Sequence, residues 1–240
     1  GESHRGESHR GQDQASCEPD SVFSIGGGGE SALLRQEIVE FIEGNILDEV
    51  LVKEVTKDVD YILHHAALTS VTDSFNHPYL TNSVNIDGTL NLLIAAKEAK
   101  IKRFIHASSA SIYGNNQTIP KVESMKPEPL SPYAVSKLAG EEYCKMFYRT
   151  YGLKTVCLRY FNIFGSQQDP NSQYAAVIPK FINDVRNDII PTIYGDGSQS
   201  RDFTYVDDVV NANILAMESN IDGEFFNIGT NSVVSVLDLA

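Results

Sequence analysis

Along the chain, apolar and polar positions fall into two regimes that meet near residue 41. Beyond it, short β-rich runs alternate with longer stretches of helical periodicity. The runs are Tyr61 to His64, Arg103 to His106 and Thr155 to Arg159. Such alternation predicts a parallel sheet joined by crossover helices. Between the first two runs, Gly88 to Ala99 is rich in helix formers, with Leu90, Leu93, Ile94 and the stem of Lys97 at helical spacing, and reads as a helix. A second helix starts after Ser131, with Pro132 in its first turn, and runs on through Leu138, Ala139, Tyr143, Met146 and Phe147. After about residue 165 the periodicity breaks down around Pro170, Pro179, Pro191 and the turn at Gly195 to Gly197. That irregularity predicts a loop-rich ligand-binding part.

The first thirty residues follow neither pattern. They open with a tandem GESHR repeat and more polar residues, a composition with little to bury and hence disordered by expectation. His4 and His9 read as solvated rather than metal-binding, and no apolar stretch follows to make a signal peptide. Gly26, Gly29 and Ala32 fit a loose glycine-turn spacing between a short apolar run and a helix start, and they fit a flexible linker equally well.

Bulk properties narrow the function classes. With 42% hydrophobic and 21% charged residues over 240 positions the chain can bury a core unaided, and no apolar run of about 18 residues is present to span a bilayer. Nineteen basic against 32 acidic residues give a net charge of −13, which disfavours nucleic acid. Cys17, Cys144 and Cys157 form no disulfide framework or metal spacing, so we expect reduced thiols, a cytoplasmic protein and no metal.

Candidate chemistry lies on the second helix. Tyr133 and Lys137 stand four residues apart on one face, where an ammonium can lower a phenol pKa from about 10 toward neutrality for proton transfer. About two dozen residues earlier, the run from Phe104 to Gly114 reads as a strand ending in hydroxyls. Ser108 and Ser109 should therefore emerge at the carboxyl end of the sheet, where ligands bind.

An ordered series of runs then carries a resemblance. It comprises Gly44 to Ile46, His64 to Ala67, Asn85 to Thr89, Ser108 to Gly114, Tyr133 to Lys137, Leu158 to Asn162, Tyr194 to Gly197, Arg201 to Phe203 and Phe226 to Gly229. Over residues 41 to 240 the chain resembles the extended short-chain dehydrogenases, specifically the NAD-dependent nucleotide-sugar 4-epimerases acting on UDP-glucose and UDP-N-acetylglucosamine. The resemblance implies a Rossmann-like doubly wound parallel sheet with a smaller C-terminal substrate-binding part, and a homodimer formed through the Tyr133 and Gly88 helices. We divide the chain into a leader (1–30), an NAD-binding domain (31–164) and a nucleotide-sugar-binding part (165–240).

By that resemblance Tyr133 removes the 4-hydroxyl proton while hydride passes to the nicotinamide. Lys137 binds the nicotinamide ribose and lowers the Tyr133 pKa, and Ser109 hydrogen-bonds the reacting oxygen. Asn45, Ile46, Ala66, Ala67, Asn85, Ser108 and Phe161 correspond to cofactor positions. Ser111, Asn162, Val177, Tyr194 and Arg201 correspond to substrate positions, the Arg201 fork suiting diphosphate oxygens. Core packing is the competing role for Ala66, Ala67 and Phe161, and an ion pair with Asp202 or Asp207 for Arg201. His64, His65 and His106 read as packed core residues.

Related dehydratases carry an acid two or three positions before the Tyr-Gly that here is Tyr113 and Gly114. Ala110 and Ser111 occupy those places, which favours 4-epimerisation over water loss. The family also begins with a strand, glycine turn and helix well ahead of the strand expected at Phe41. Only about a dozen residues separate Gly29 from Phe41. A chain lacking that first unit and the C-terminal part is therefore expected, and an inactive remnant that binds nucleotide or a partner subunit stays open as an alternative. A dehydratase or reductase is a third.

Overall fold

The computed structural model describes residues 39–168 and 177–240. The leader and its glycine run lie outside the described residues. Four parallel strands form the main sheet: β1 (Tyr61–His64), β2 (Arg103–Ser109), β3 (Thr155–Tyr160) and, after a long excursion, β7 (Glu224–Ile228), in the order β1-β2-β3-β7. The excursion contains β4 (Asn162–Phe164), parallel to β6 (Phe203–Tyr205), and β5 (Ser200–Arg201), antiparallel to β8 (Val234–Ser235). The eight α-helices of the described residues are α1 (Glu49–Val55), α2 (Val71–Asn76), α3 (Pro78–Asn82), α4 (Gly88–Ala99), α5 (Pro132–Tyr151), α6 (Val177–Arg186), α7 (Val206–Glu218) and α8 (Val236–Leu239). None is long and apolar enough to cross a membrane.

Helices cover both faces, which makes the sheet doubly wound. On one face Val52, Leu92, Leu93, Phe104, Cys144 and Phe147 bring α1, α4 and α5 onto β2. On the other, Ala216 of α7 closes on Ile105, Val156 and Leu158. Both faces of β2 are thus covered, and six of its seven residues are buried. Strand alternation sends neighbouring residues to opposite faces, so Ser108 points under α5 and Ser109 does not. The α5 start follows capping physics: the Ser131 hydroxyl accepts from Ala134 N–H at 3.1 Å, and Pro132 opens the first turn.

Three expectations change. Residues 39–45 form no strand, and Phe41 and Ile42 are exposed, because no described strand lies beside them to complete a ladder. The outer edge of β1 likewise has no partner strand among the described residues. Helix α4 buries Gly88, Thr89, Leu92, Leu93, Ala95 and Ala96, and leaves Leu90 and Ile94 half-exposed. Its small residues allow close approach, and Gly88 receives the Ile46 side chain where a Cβ would collide. His64 and His106 are buried, but His65 is exposed and stacks on Tyr160, with Nε2 at 3.1 Å from the phenol oxygen.

Candidate active site

A cleft of about 990 Å³ opens at the carboxyl ends of β2, β3 and β7. Ser109, Ala110 and Ser111 line it together with Tyr133, Phe161, Asn162 and Arg201. Its placement follows from the parallel sheet, whose strand ends and following turns leave a crevice between the two helical layers. A smaller cavity of about 370 Å³ is lined by Val177, Lys180, Phe181, Tyr194 and Phe203, and shares Asn162 and Arg201 with the cleft. Tyr194 is exposed, with the Lys180 ammonium 5.5 Å from its ring centre.

Ser109, Tyr133 and Lys137 come together as expected. The Ser109 hydroxyl caps the turn at Ala110–Tyr113, accepting from Ser111 N–H at 3.2 Å, and acts on the Tyr133 phenol to favour its ionised form. Lys137 is 5% exposed, donates to the Ala107 carbonyl at 2.8 Å and lies 5.9 Å from the Tyr133 ring centre. Burial pulls the Lys137 pKa down to about 8. The expected lowering of the Tyr133 pKa is not found: burial pushes it up, and Ser109 opposes this only in part. The reason is geometric, since Lys137 spends a donor on a backbone carbonyl while the phenol loses water.

The other residues sort by their contacts. Ser111 Oγ is buried in the cleft wall with no hydrogen-bond partner, as suits a group awaiting a ligand hydroxyl. The Arg201 side chain is exposed and, among the described residues, bonds only the Ser200 carbonyl and pairs with neither Asp202 nor Asp207. Asp202 instead accepts from Thr230 and Asn231. Phe161 and Asn162 line the cleft; Ala66 and Ala67 are half-buried at the end of β1, Ala66 against the core.

Four residues expected at the cofactor make contacts within the protein. Ser108 is buried and donates to Glu141 on α5, the face that strand alternation dictates. Asn85 is a strut: its amide bonds Leu68 N–H, the Leu68 carbonyl and Ser136 Oγ, which uses both of its donor hydrogens. Ile46 is fully buried in the core, so its side chain offers a ligand nothing. Asn45 Oδ1 accepts from Leu47 N–H at 2.9 Å and keeps one lone pair free.

Several site features escape sequence reasoning. Glu141 continues the Tyr133 and Lys137 face at the same four-residue step, a signal that helical spacing contains. Its partner Arg159 makes a two-point contact at 2.9 and 2.7 Å, both side chains buried. Lys121, Glu123 and Asn227 line the cleft from a loop and a strand that only the fold brings together.

These residues fit the nicotinamide-ribose end of a dinucleotide, with two Lys137 donors uncommitted beside Tyr133. No described residue supplies a glycine turn for its diphosphate. The metal-ligand residues described form no cluster that could hold a metal ion.

Comparison with known proteins finds relatives in sequence and in fold. The chain shares 45% identity and a TM-score of 0.80 with a UDP-N-acetylglucosamine 4-epimerase of Methanobrevibacter ruminantium solved with UDP-N-acetylmuramic acid, covering 82% of this chain and 63% of that one. With a UDP-glucose 4-epimerase of Thermotoga maritima solved with UDP-glucose it shares 39% identity and a TM-score of 0.80, covering 83% and 65%. It is also 38% identical to the dTDP-D-glucose 4,6-dehydratase of Bos taurus, over 84% of this chain and 56% of that protein. The chain thus spans less than two thirds of the length of these relatives. Residues 12–229 match the family model described as NAD dependent epimerase/dehydratase. The chain therefore belongs to the NAD dependent epimerase/dehydratase family.

Proposed function

We propose that this chain carries the catalytic half of a nucleotide-sugar 4-epimerase, acting on a UDP-sugar of the UDP-N-acetylglucosamine or UDP-glucose type with NAD. The observation that carries the reading is the grouping of Ser109, Tyr133 and Lys137 in a cleft whose Ala110 and Ser111 supply no carboxylate for water loss. Bound NAD supplies reversible oxidation at the sugar C4. Tyr133 would take and return the hydroxyl proton, Ser109 would hold the reacting oxygen, and Lys137 would orient the ribose from below. Arg201 and Asn162, shared by both cavities, suit the diphosphate, which leaves the smaller cavity beside Tyr194 for the base. We place dimerisation on α4 and α5, testable by sedimentation.

The test is to incubate the chain with NAD and each UDP-sugar and follow the anomeric proton signals by NMR. A second sugar epimer with no net absorbance change at the reduced-nicotinamide band is expected. A released keto sugar, or a 4-keto-6-deoxy product, would overturn the assignment. One observation favours a second reading, a nucleotide binder without turnover: the described residues contain no glycine turn. Isothermal titration with NAD separates the two, since a 4-epimerase must hold the cofactor.

A further inference from the structure

Residues 114–131 form the cleft wall that leads from the turn at Ala110–Tyr113 into Ser131 and Tyr133, and their hold on the sheet is narrow. Glu128 N–H bonds the Ile112 carbonyl at 2.8 Å, where the wall passes over Gly114, a residue at φ +57 whose added Cβ would collide with the Glu128 carbonyl. The other hold is Asn227 on β7. Its backbone N–H donates to Glu123 Oε1 at 2.7 Å, and its side-chain amide donates to the Lys121 carbonyl at 3.0 Å. Its side-chain oxygen accepts from Tyr113 Oη at 2.7 Å.

Asn227 is also the end of a buried chain of bonds. Tyr113 Oη accepts from Arg159 Nη1 at 2.8 Å, and the remaining Arg159 nitrogens grip Glu141. Glu141 shares a helix face with Tyr133 and Lys137. Arg159 and Asn227 stand opposite each other on β3 and β7. One connected network therefore ties the helix that carries the phenol to the wall facing it. Tyr113, Arg159 and Glu141 are each at most 3% exposed, so these bonds do not compete with water.

We infer that Asn227 is a positioning residue: it fixes the wall at Lys121 and Glu123 relative to Tyr133 and Ser109, and so sets how the sugar ring is presented to them. This rests on the 4-epimerase reading for its kinetic consequence, but not for the clamp itself. Nucleotide affinity should be spared, because the smaller cavity beside Tyr194 is lined by none of Lys121, Glu123 and Asn227.

The test compares Asn227→Ala, Glu123→Ala and Glu123→Gln with the unmodified chain by amide hydrogen exchange, UDP titration and steady-state turnover. Asn227→Ala and Glu123→Ala should speed exchange in residues 114–131 by about tenfold or more and leave β2 and β3 unchanged. They should lower kcat about 10- to 100-fold while UDP affinity stays within about twofold. Glu123→Gln keeps an oxygen for the Asn227 N–H and should restore most of both signals. The inference is overturned by unaltered exchange in the wall, by exchange that rises equally across the sheet, by unaltered kcat in a loosened wall, or by Glu123→Gln behaving as Glu123→Ala. An unmodified chain without turnover would sink the 4-epimerase reading instead, and the exchange comparison would still decide the clamp.

Discussion

Lys137 is held in the fold at a cost that can be measured by replacing it with methionine. Its ammonium is 5% exposed, has no carboxylate partner among the described residues, and is satisfied by the Ala107 carbonyl alone. Burial lowers its pKa from 10.5 to about 8. Between those two values the unfolded chain holds a proton that the folded chain does not, so stability rises with pH through this window. Below about pH 8 both states are protonated and the fold bears the whole desolvation penalty. A fall from 10.5 to about 8, at about 1.4 kcal/mol for each tenfold change in proton affinity, amounts to about 3 kcal/mol. Lys137→Met removes this titration and leaves the Ala107 carbonyl without its donor, a loss of about 1–3 kcal/mol that does not vary with pH. Urea unfolding of both chains, followed by circular dichroism from about pH 7 to about pH 10, yields the difference in stability. Relative to the variant, the native chain should gain most of that 3 kcal/mol on going to the alkaline end. A difference that stays flat across the range would refute the claim that a buried, unpaired ammonium sits there.

Three further outcomes follow from named contacts. On the proposed 4-epimerase reading, Tyr133→Phe should lower turnover by about 10²–10⁴-fold with UDP binding, measured calorimetrically, unchanged, since only the phenol oxygen at the cleft is lost. Glu141→Gln strips the buried Arg159 guanidinium of its charge partner and should cost about 3–5 kcal/mol in urea unfolding; a change under about 1 kcal/mol would contradict the buried pair. Gly140→Ala would set a methyl 2.5 Å from His106 Nε2 and should cost about 1–3 kcal/mol, recovered in part by adding His106→Ala.

How far the sequence disclosed this site depends on the range of the forces involved. The runs at Tyr61, Arg103 and Thr155, the helix Gly88–Ala99 and the Ser131–Pro132 start were legible because propensity and capping act over a few residues. The same local reading put Ser108 and Ser109 at one crevice, although strand alternation sends them to opposite faces, Ser108 to Glu141 and Ser109 to the cleft. Its apolar spacing on α4 named Leu90, Leu93 and Ile94, of which Leu93 is fully buried and the other two pack partly buried against the core, while the small residues Gly88, Ala95 and Ala96 that share the interface carry little hydrophobic signal. Asn85 and Ile46 were matched by position to the cofactor, and the contacts of their side chains within the protein, Asn85 with Leu68 and Ile46 in the core, had no local signal. The Glu141–Arg159–Tyr113–Asn227 chain joins residues up to 114 positions apart and has no local signature at all.

The Tyr133 pKa shows where that reasoning must end. A phenol and an ammonium four residues apart on a helix seem sufficient to make a base, and each side chain is where the spacing puts it. Spacing fixes proximity, but it does not fix what each group has lost to reach its place. Tyr133 has given up water, which raises its pKa, and Lys137 has turned a donor toward Ala107 and is itself pulled down to about 8 by the same burial. Two groups that both pay desolvation cannot each be charged by the other unless something further stabilises the charges. Burial therefore opposes ionisation of the phenol in the protein as it stands, and on the proposed 4-epimerase reading the opposing stabilisation would come from a ligand that takes up the Lys137 donors and places positive charge near the phenol oxygen. The motif specifies the groups; their chemistry belongs to the complex.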